Sequence, residues 1–223
     1  MPALVYLHGL ASSPRGRKVS VLTKRFGPDG WEVVAPDLNV PSFATLSFAA
    51  IVERARAAVV AARPAAVVGS SLGALAALAV AEGEGPDGPP LLLIAPALGF
   101  GARWKEKLPE GDPLTLFHHG EERDLPIHRA FFLEMASVRA GEAPPPVPVA
   151  VVMGTDDASV PFDQVRGTWG AWEASGELVP GSRFHAVPGG DHGLVERGDA
   201  IEAALRGLLR RTATTRGTHE GAA

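Results

Sequence analysis

The chain has 223 residues, 46% of them hydrophobic, 21% charged and 6% aromatic, with a formal net charge of −4 and no cysteine. This length suits one domain that buries roughly 70 to 75% of its unfolded surface without staples. The charge balance and the lack of a Lys/Arg block argue against nucleic acid or an anionic membrane surface as partner. No apolar run approaches the roughly 20 residues of a membrane-spanning helix. Without cysteine, neither disulfides, thiolate catalysis nor a cysteine zinc site is available. The start "MPALVYLHG" lacks the basic residues, long apolar core and cleavage site of a secretory signal. The expectation is a cytoplasmic enzyme acting on a small uncharged or amphipathic molecule.

Apolar runs alternate with helical patterns, the mark of an α/β protein with a largely parallel sheet. In chain order the predicted strands are Leu4–Leu7, Glu32–Ala35, Ala66–Val68, Leu91–Ile94, Val149–Met153 and Phe184–Val187. Three helical stripes face this sheet: Val52, Ala55, Val59 and Ala62; Phe162, Val165, Trp169 and Trp172; and Ile201, Leu205 and Leu208. Core packing is the expected role of Trp169 and Trp172. The Gly/Pro-rich segments 82–90 and 140–148 read as loops. Between the fourth and fifth strands, the segment from about 97 to 146 is too long for a plain connection, and an inserted helical cap accounts for it. One domain over 1–211 is expected, followed by a disordered tail at 212–223 that has no apolar face.

The pattern Gly-x-Ser-x-Gly is met by Gly69, Ser70, Ser71, Leu72 and Gly73. Alone it proves little, but it lies directly between a strand and a helix whose Leu72, Leu75, Ala76 and Ala79 share a face. That is the setting of a nucleophile elbow, in which the glycines admit a strained turn and the serine hydroxyl stands above the sheet edge. A phosphate-binding loop would need a lysine in the turn or a Gly-x-Gly-x-x-Gly run, and neither is present. A purely structural serine turn is the other alternative.

A nucleophilic serine needs a base, and the base needs an orienting carboxylate. Downstream, "GTDDASVP" offers Asp156 and Asp157 at one strand end, and "PGGDHGL" places His192 in the loop before the last helix. A turn or helix cap is the bland reading of the Asp pair, and a structural loop residue that of His192. All fall at carboxyl ends of strands, in the order Ser, Asp, His, where open α/β sheets bind ligands. Upstream, His8 and Gly9 end the first strand, and the N–H groups just beyond them could meet an oxyanion together with that of Leu72. His118 and His119 beside Glu121 and Glu122 are expected in a solvated cap loop rather than at a metal. His185 alternates within a strand and reads as structural, and His219 lies in the tail.

With these residues the chain resembles the α/β-hydrolase superfamily, and more narrowly the small bacterial esterases of the YqiA/YcfP-like group. The resemblance runs from "YLHGLASSP" through "PDLNVPSF", "VVGSSLGA", "LLLIAPALGF" and "GTDDASVP" to "GGDHGL". It implies an α/β-hydrolase fold: a mostly parallel sheet of about six strands, helices on both faces and a small helical cap. It implies Ser71 as nucleophile and His192 as base. The frame Gly-x-x-Asp-x-x-Val-Pro, matched by Gly154, Val160 and Pro161, prefers Asp157 over Asp156 as the acid. The backbone N–H groups of Leu10 and Leu72 would be the oxyanion donors. The sequence departs from the pattern at Ala74, where a second glycine is frequent, and at Leu10, where Phe is common; both leave the donors in place. "PDLN", with Asp37 and Asn39, reads as a turn-stabilising element.

The expected activity is hydrolysis of carboxylic esters or thioesters of small to medium acyl chains by a monomer or homodimer, with no metal or organic cofactor. Acyl transfer by the same triad, or a non-catalytic binding protein on this fold, are the alternatives. Phe100, Trp104, Phe117, Phe131, Phe132 and Met135 supply apolar surface for an acyl pocket, with Trp104, Phe131 and Phe132 the substrate-binding candidates. The alternative is that most of them bury the cap against the core.

Overall fold

The computed structural model describes residues 1–220, with all side chains except those of 102, 105–107 and 215–220. The chain runs β1 (Ala3–Leu7), α1 (Arg17–Phe26), β2 (Glu32–Val34), α2 (Phe48–Ala62), β3 (Ala66–Ser70), α3 (Leu72–Glu84) and β4 (Leu91–Ile94). An insertion follows, made of α4 (Phe100–Lys107), β5 (Leu114–His118), β6 (Arg123–Ile127) and α5 (Arg129–Met135). The chain closes with β7 (Val149–Gly154), α6 (Phe162–Ser175), β8 (Arg183–Val187) and α7 (Gly198–Glu220).

Six strands form one sheet in the order β2-β1-β3-β4-β7-β8, every neighbouring pair parallel. The central strands are buried on both faces, as the crossover helices require, and so read as continuous apolar runs. Successive residues of β1 divide between two cores. Leu4 and Tyr6 join Leu22 and Phe26 of α1 and Ile201, Leu205 and Leu208 of α7. Val5 and Leu7 join Ile51, Ala55 and Val59 of α2 and Val165, Trp169 and Trp172 of α6. Helix α3, between the strands and α2, is buried almost all round, which its run of Ala and Leu permits.

Two expectations need correction. The insertion is not purely helical: β5 and β6 form an antiparallel hairpin between its two short helices. Alternation in "LTLFH", with Leu114 and His118 buried and Thr115 and Phe117 exposed, is a strand signal too short to stand out. The final helix also continues through 212–220, where an irregular tail was expected. There the Thr212 hydroxyl donates to the Leu208 and Leu209 carbonyls, and that of Thr214 to the Arg210 carbonyl, as threonines inside a helix do. The last three positions of that tail, 221–223, lie outside the described residues.

Candidate active site

Ser71 stands between the end of β3 and the start of α3 with φ 54° and ψ −115°, a strained conformation for a residue bearing a Cβ. Its N–H donates to the Ile94 carbonyl at 3.0 Å, anchoring the turn to the next strand. The two flanking glycines are required by close approach. A Cβ on Gly69 would lie 2.6 Å from the Ala74 Cα, and one on Gly73 would overlap the Leu7 carbonyl. Ser70, the variable residue of the motif, is buried beneath the apex.

The acid and histidine loops are brought together in the same way. A Cβ on Gly154 would collide with the Gly190 carbonyl. Asp156 N–H donates to the Gly190 carbonyl at 2.9 Å, and Gly189 N–H to Thr155 Oγ1 at 2.9 Å. In this frame His192 Nδ1 lies 2.7 Å from Asp157 Oδ2, and the Asp157 side chain is fully buried. Its other oxygen accepts the N–H groups of Ser159 and Val160, each at 2.8 Å. Burial would raise the Asp157 pKa; the bond from His192 and those backbone N–H groups outweigh it and hold the carboxyl below its usual value. The Asp156 side chain, by contrast, is exposed and accepts from the neighbouring Thr155 hydroxyl. A carboxylate can only accept, so His192 Nδ1 carries the proton and Nε2 is left as an acceptor.

Upstream, buried His8 fixes the loop after β1. Nδ1 donates to the Gly9 carbonyl at 2.9 Å, and Nε2 accepts Leu38 N–H at 2.9 Å, which defines one neutral tautomer. Burial lowers the His8 pKa, while the Gly9 carbonyl and Asp37 act in the opposite sense. Asn39 ties the same loop down, its amide donating to the Ser12 carbonyl and to Asp37. "PDLN" is thus a brace for the loop that carries Leu10. Leu72 begins α3, where a helix N–H has no intrahelical acceptor.

Ser71, His192 and Leu10 line one cavity of about 890 Å³, with Tyr6, Ser12, Ser13, Lys18 and Phe117 among its other walls. That volume suits a small-molecule ligand. The hairpin forms part of the wall: His119 N–H donates to the Ala11 carbonyl at 2.8 Å, and Gly120 packs on Ser13. His118 is buried against Phe43 rather than solvated, and its Nδ1 accepts Glu121 N–H.

Trp104, Phe131 and Phe132 do not line this cavity, contrary to their expected role. Phe131 and Phe132 are buried and, with Phe100 and Trp104, form one aromatic cluster that packs α4 onto α5. Of the apolar cap residues named from the sequence, Phe117 reaches the cavity wall. Sequence reasoning missed Lys18 and Tyr6. A signal for Lys18 was present, since Arg17 and Lys18 occupy the first turn of α1, where the helix dipole favours acidic residues.

The architecture matches solved structures throughout. Est1E from Butyrivibrio proteoclasticus is 15% identical with a TM-score of 0.71, the match covering 94% of this chain and 88% of that one. Alpha/beta hydrolase domain-containing protein 10 from mouse is 19% identical with a TM-score of 0.71, over 98% and 90% of the two chains. The monoacylglycerol lipase of Paleococcus ferrophilus is 19% identical with a TM-score of 0.71, over 93% and 94%. At such identities the likeness establishes the α/β-hydrolase fold. No curated protein matches the sequence at a significant level. The model of the uncharacterised protein family UPF0227, a YqiA-like group, matches residues 3–183, and the chain, which has the α/β-hydrolase fold, belongs to that family.

Proposed function

We propose that this chain is a serine hydrolase that cleaves carboxylic esters or thioesters of small to medium acyl groups through an acyl-enzyme on Ser71. The observation that carries the reading is the 2.7 Å pairing of buried Asp157 with His192, whose ring lines the same cavity as a strained Ser71. Ser71 Oγ attacks the acyl carbon while its proton passes to His192 Nε2. Asp157 holds Nδ1–H and stabilises the imidazolium. The N–H groups of Leu10 and Leu72 receive the oxyanion. Collapse breaks the bond to the alcohol or thiol, which leaves with the proton from Nε2. Water then attacks the acyl-enzyme, giving a proton to Nε2, and the second collapse releases the acid and restores Ser71 Oγ–H.

The 890 Å³ cavity, rather than the cap aromatics, supports the acyl-size limit. A panel of p-nitrophenyl esters and acyl-CoA thioesters, run beside Ser71→Ala, tests the proposal. Turnover by the parent chain and loss of about 10³-fold or more in the variant is expected; turnover that survives the substitution contradicts it. Product analysis with competing alcohols and amines separates hydrolysis from acyl transfer.

A further inference from the structure

Lys18 has no role in the proposed chemistry, yet it lies on the wall of the cavity that holds Ser71 and His192. Among the described residues its ammonium makes no hydrogen bond and has no carboxylate at ion-pair distance. The nearby acids are committed elsewhere. Asp157 accepts from His192, Ser159 and Val160, and Asp191 accepts Leu194 N–H at 2.7 Å. The other charged wall residues, Arg15, Arg17, Glu122, Asp191 and Glu196, are exposed, whereas Lys18 is partly buried. Burial pushes its pKa down to about 8, against the pull of Asp191 and Asp157. An ammonium that faces the cavity without a counter-ion, on a partly buried side chain, is left open to an anionic partner.

Its surroundings favour the same partner. Lys18 follows Arg17 in the first turn of α1, which has no acidic residue there and whose N-cap, Gly16, provides no side-chain bond. The positive end of the helix dipole therefore points the same way as two cationic side chains. A bound anion complements both, since helix N–H groups and a lysine together make an anion site.

We infer that the cavity takes an ester or thioester bearing a second, negatively charged group, a carboxylate or phosphate, and that Lys18 is its counter-ion and sets this specificity. The assignment rests on the hydrolase reading above and narrows the small uncharged or amphipathic molecule expected from overall composition to an anionic one. Two pairs of substrates distinguish where the charge resides. p-Nitrophenyl hemiglutarate against p-nitrophenyl butyrate places a carboxylate on the acyl side. Butyryl-CoA against the butyryl thioester of N-acetylcysteamine places phosphates on the leaving side.

In at least one pair the charged member is expected to have the higher kcat/KM. Lys18→Met is expected to reduce that ratio about tenfold or more through KM, with Lys18→Arg restoring much of it. Absence of preference in both pairs, or an equal loss for both members in Lys18→Met, overturns the assignment. Calorimetric titration of the Ser71→Ala protein with monomethyl and dimethyl glutarate reads acyl-side recognition without turnover. Where the hemiglutarate pair shows the preference, tighter binding of the monoanion is expected, and equal affinity overturns the carboxylate site. Turnover that survives Ser71→Ala contradicts the hydrolase reading instead, so the two failures are distinguishable.

Discussion

His192 Nδ1 and Asp157 Oδ2 sit 2.7 Å apart across two loops that touch only because Gly154 and Gly190 lack side chains at their closest approach. The bond fixes which imidazole nitrogen can accept a proton. Asp157→Asn would present an amide N–H or a weaker acceptor to Nδ1 and favour the wrong tautomer. We expect kcat for ester hydrolysis to fall about 10⁴-fold with little change in KM, measured by steady-state kinetics. A fall of less than tenfold would show that the pairing is only structural.

The elbow is strained by its serine. Ser71→Gly removes the Cβ that opposes φ 54°, and we expect it to raise stability by about 1 kcal/mol while abolishing turnover. For a chain of this size that is a rise of about 2 to 4 °C in Tm by calorimetry. Ser71→Ala keeps the Cβ and should show no such gain. The opposite holds at Gly73: Gly73→Ala drives a methyl into the Leu7 carbonyl and is expected to cost about 3 kcal/mol or more, read from denaturant midpoints.

His8 is a positioning residue. His8→Ala leaves the N–H of Leu38 without its acceptor and frees the loop that carries Leu10. The expected loss is about 1 to 3 kcal/mol in stability. We also expect a fall in kcat exceeding the rise in KM, because an oxyanion donor acts chiefly in the transition state.

Lys18 should give the fold a pH signature. Its pKa is about 8 when folded and 10.5 as an unburied lysine, so between these values the unfolded chain holds the extra proton. Its contribution to stability therefore rises with pH across that window, is flat and unfavourable below about 8, and is fully relieved above 10.5. Lys18→Met is expected to flatten that slope and to be more stable than the parent at pH 7, by about 1 kcal/mol. Urea unfolding at pH 7 and pH 10 checks this; identical slopes in both proteins would count against a burial penalty at Lys18.

Much of this architecture was legible in the chain. Strands buried on both faces announce themselves as short apolar runs, and all six of the central sheet lie within two residues of where those runs place them. Ser71, Asp157 and His192 were visible because each sits in a turn with its own glycine signature, and the structure pairs the latter two. The apolar cap allowed two readings, pocket wall or core, for a physical reason. A cluster such as Phe131, Phe132 and Trp104 has the same composition whether it lines a pocket or fills a core, and only packing distinguishes them. The β5–β6 hairpin carries too few residues for its alternation to outweigh the surrounding turn signals. Lys18 belongs to none of the motifs that stand out in the sequence. That it lines the same cavity as Ser71 and His192 depends on how α1 lies against loops distant in sequence.

The most direct test of the central claim is intact-mass measurement after treatment with a fluorophosphonate, followed by peptide mapping. The account predicts one adduct, on Ser71, lost in Ser71→Ala and greatly slowed in His192→Ala. No adduct on the folded protein, or one on a serine other than Ser71, would contradict it.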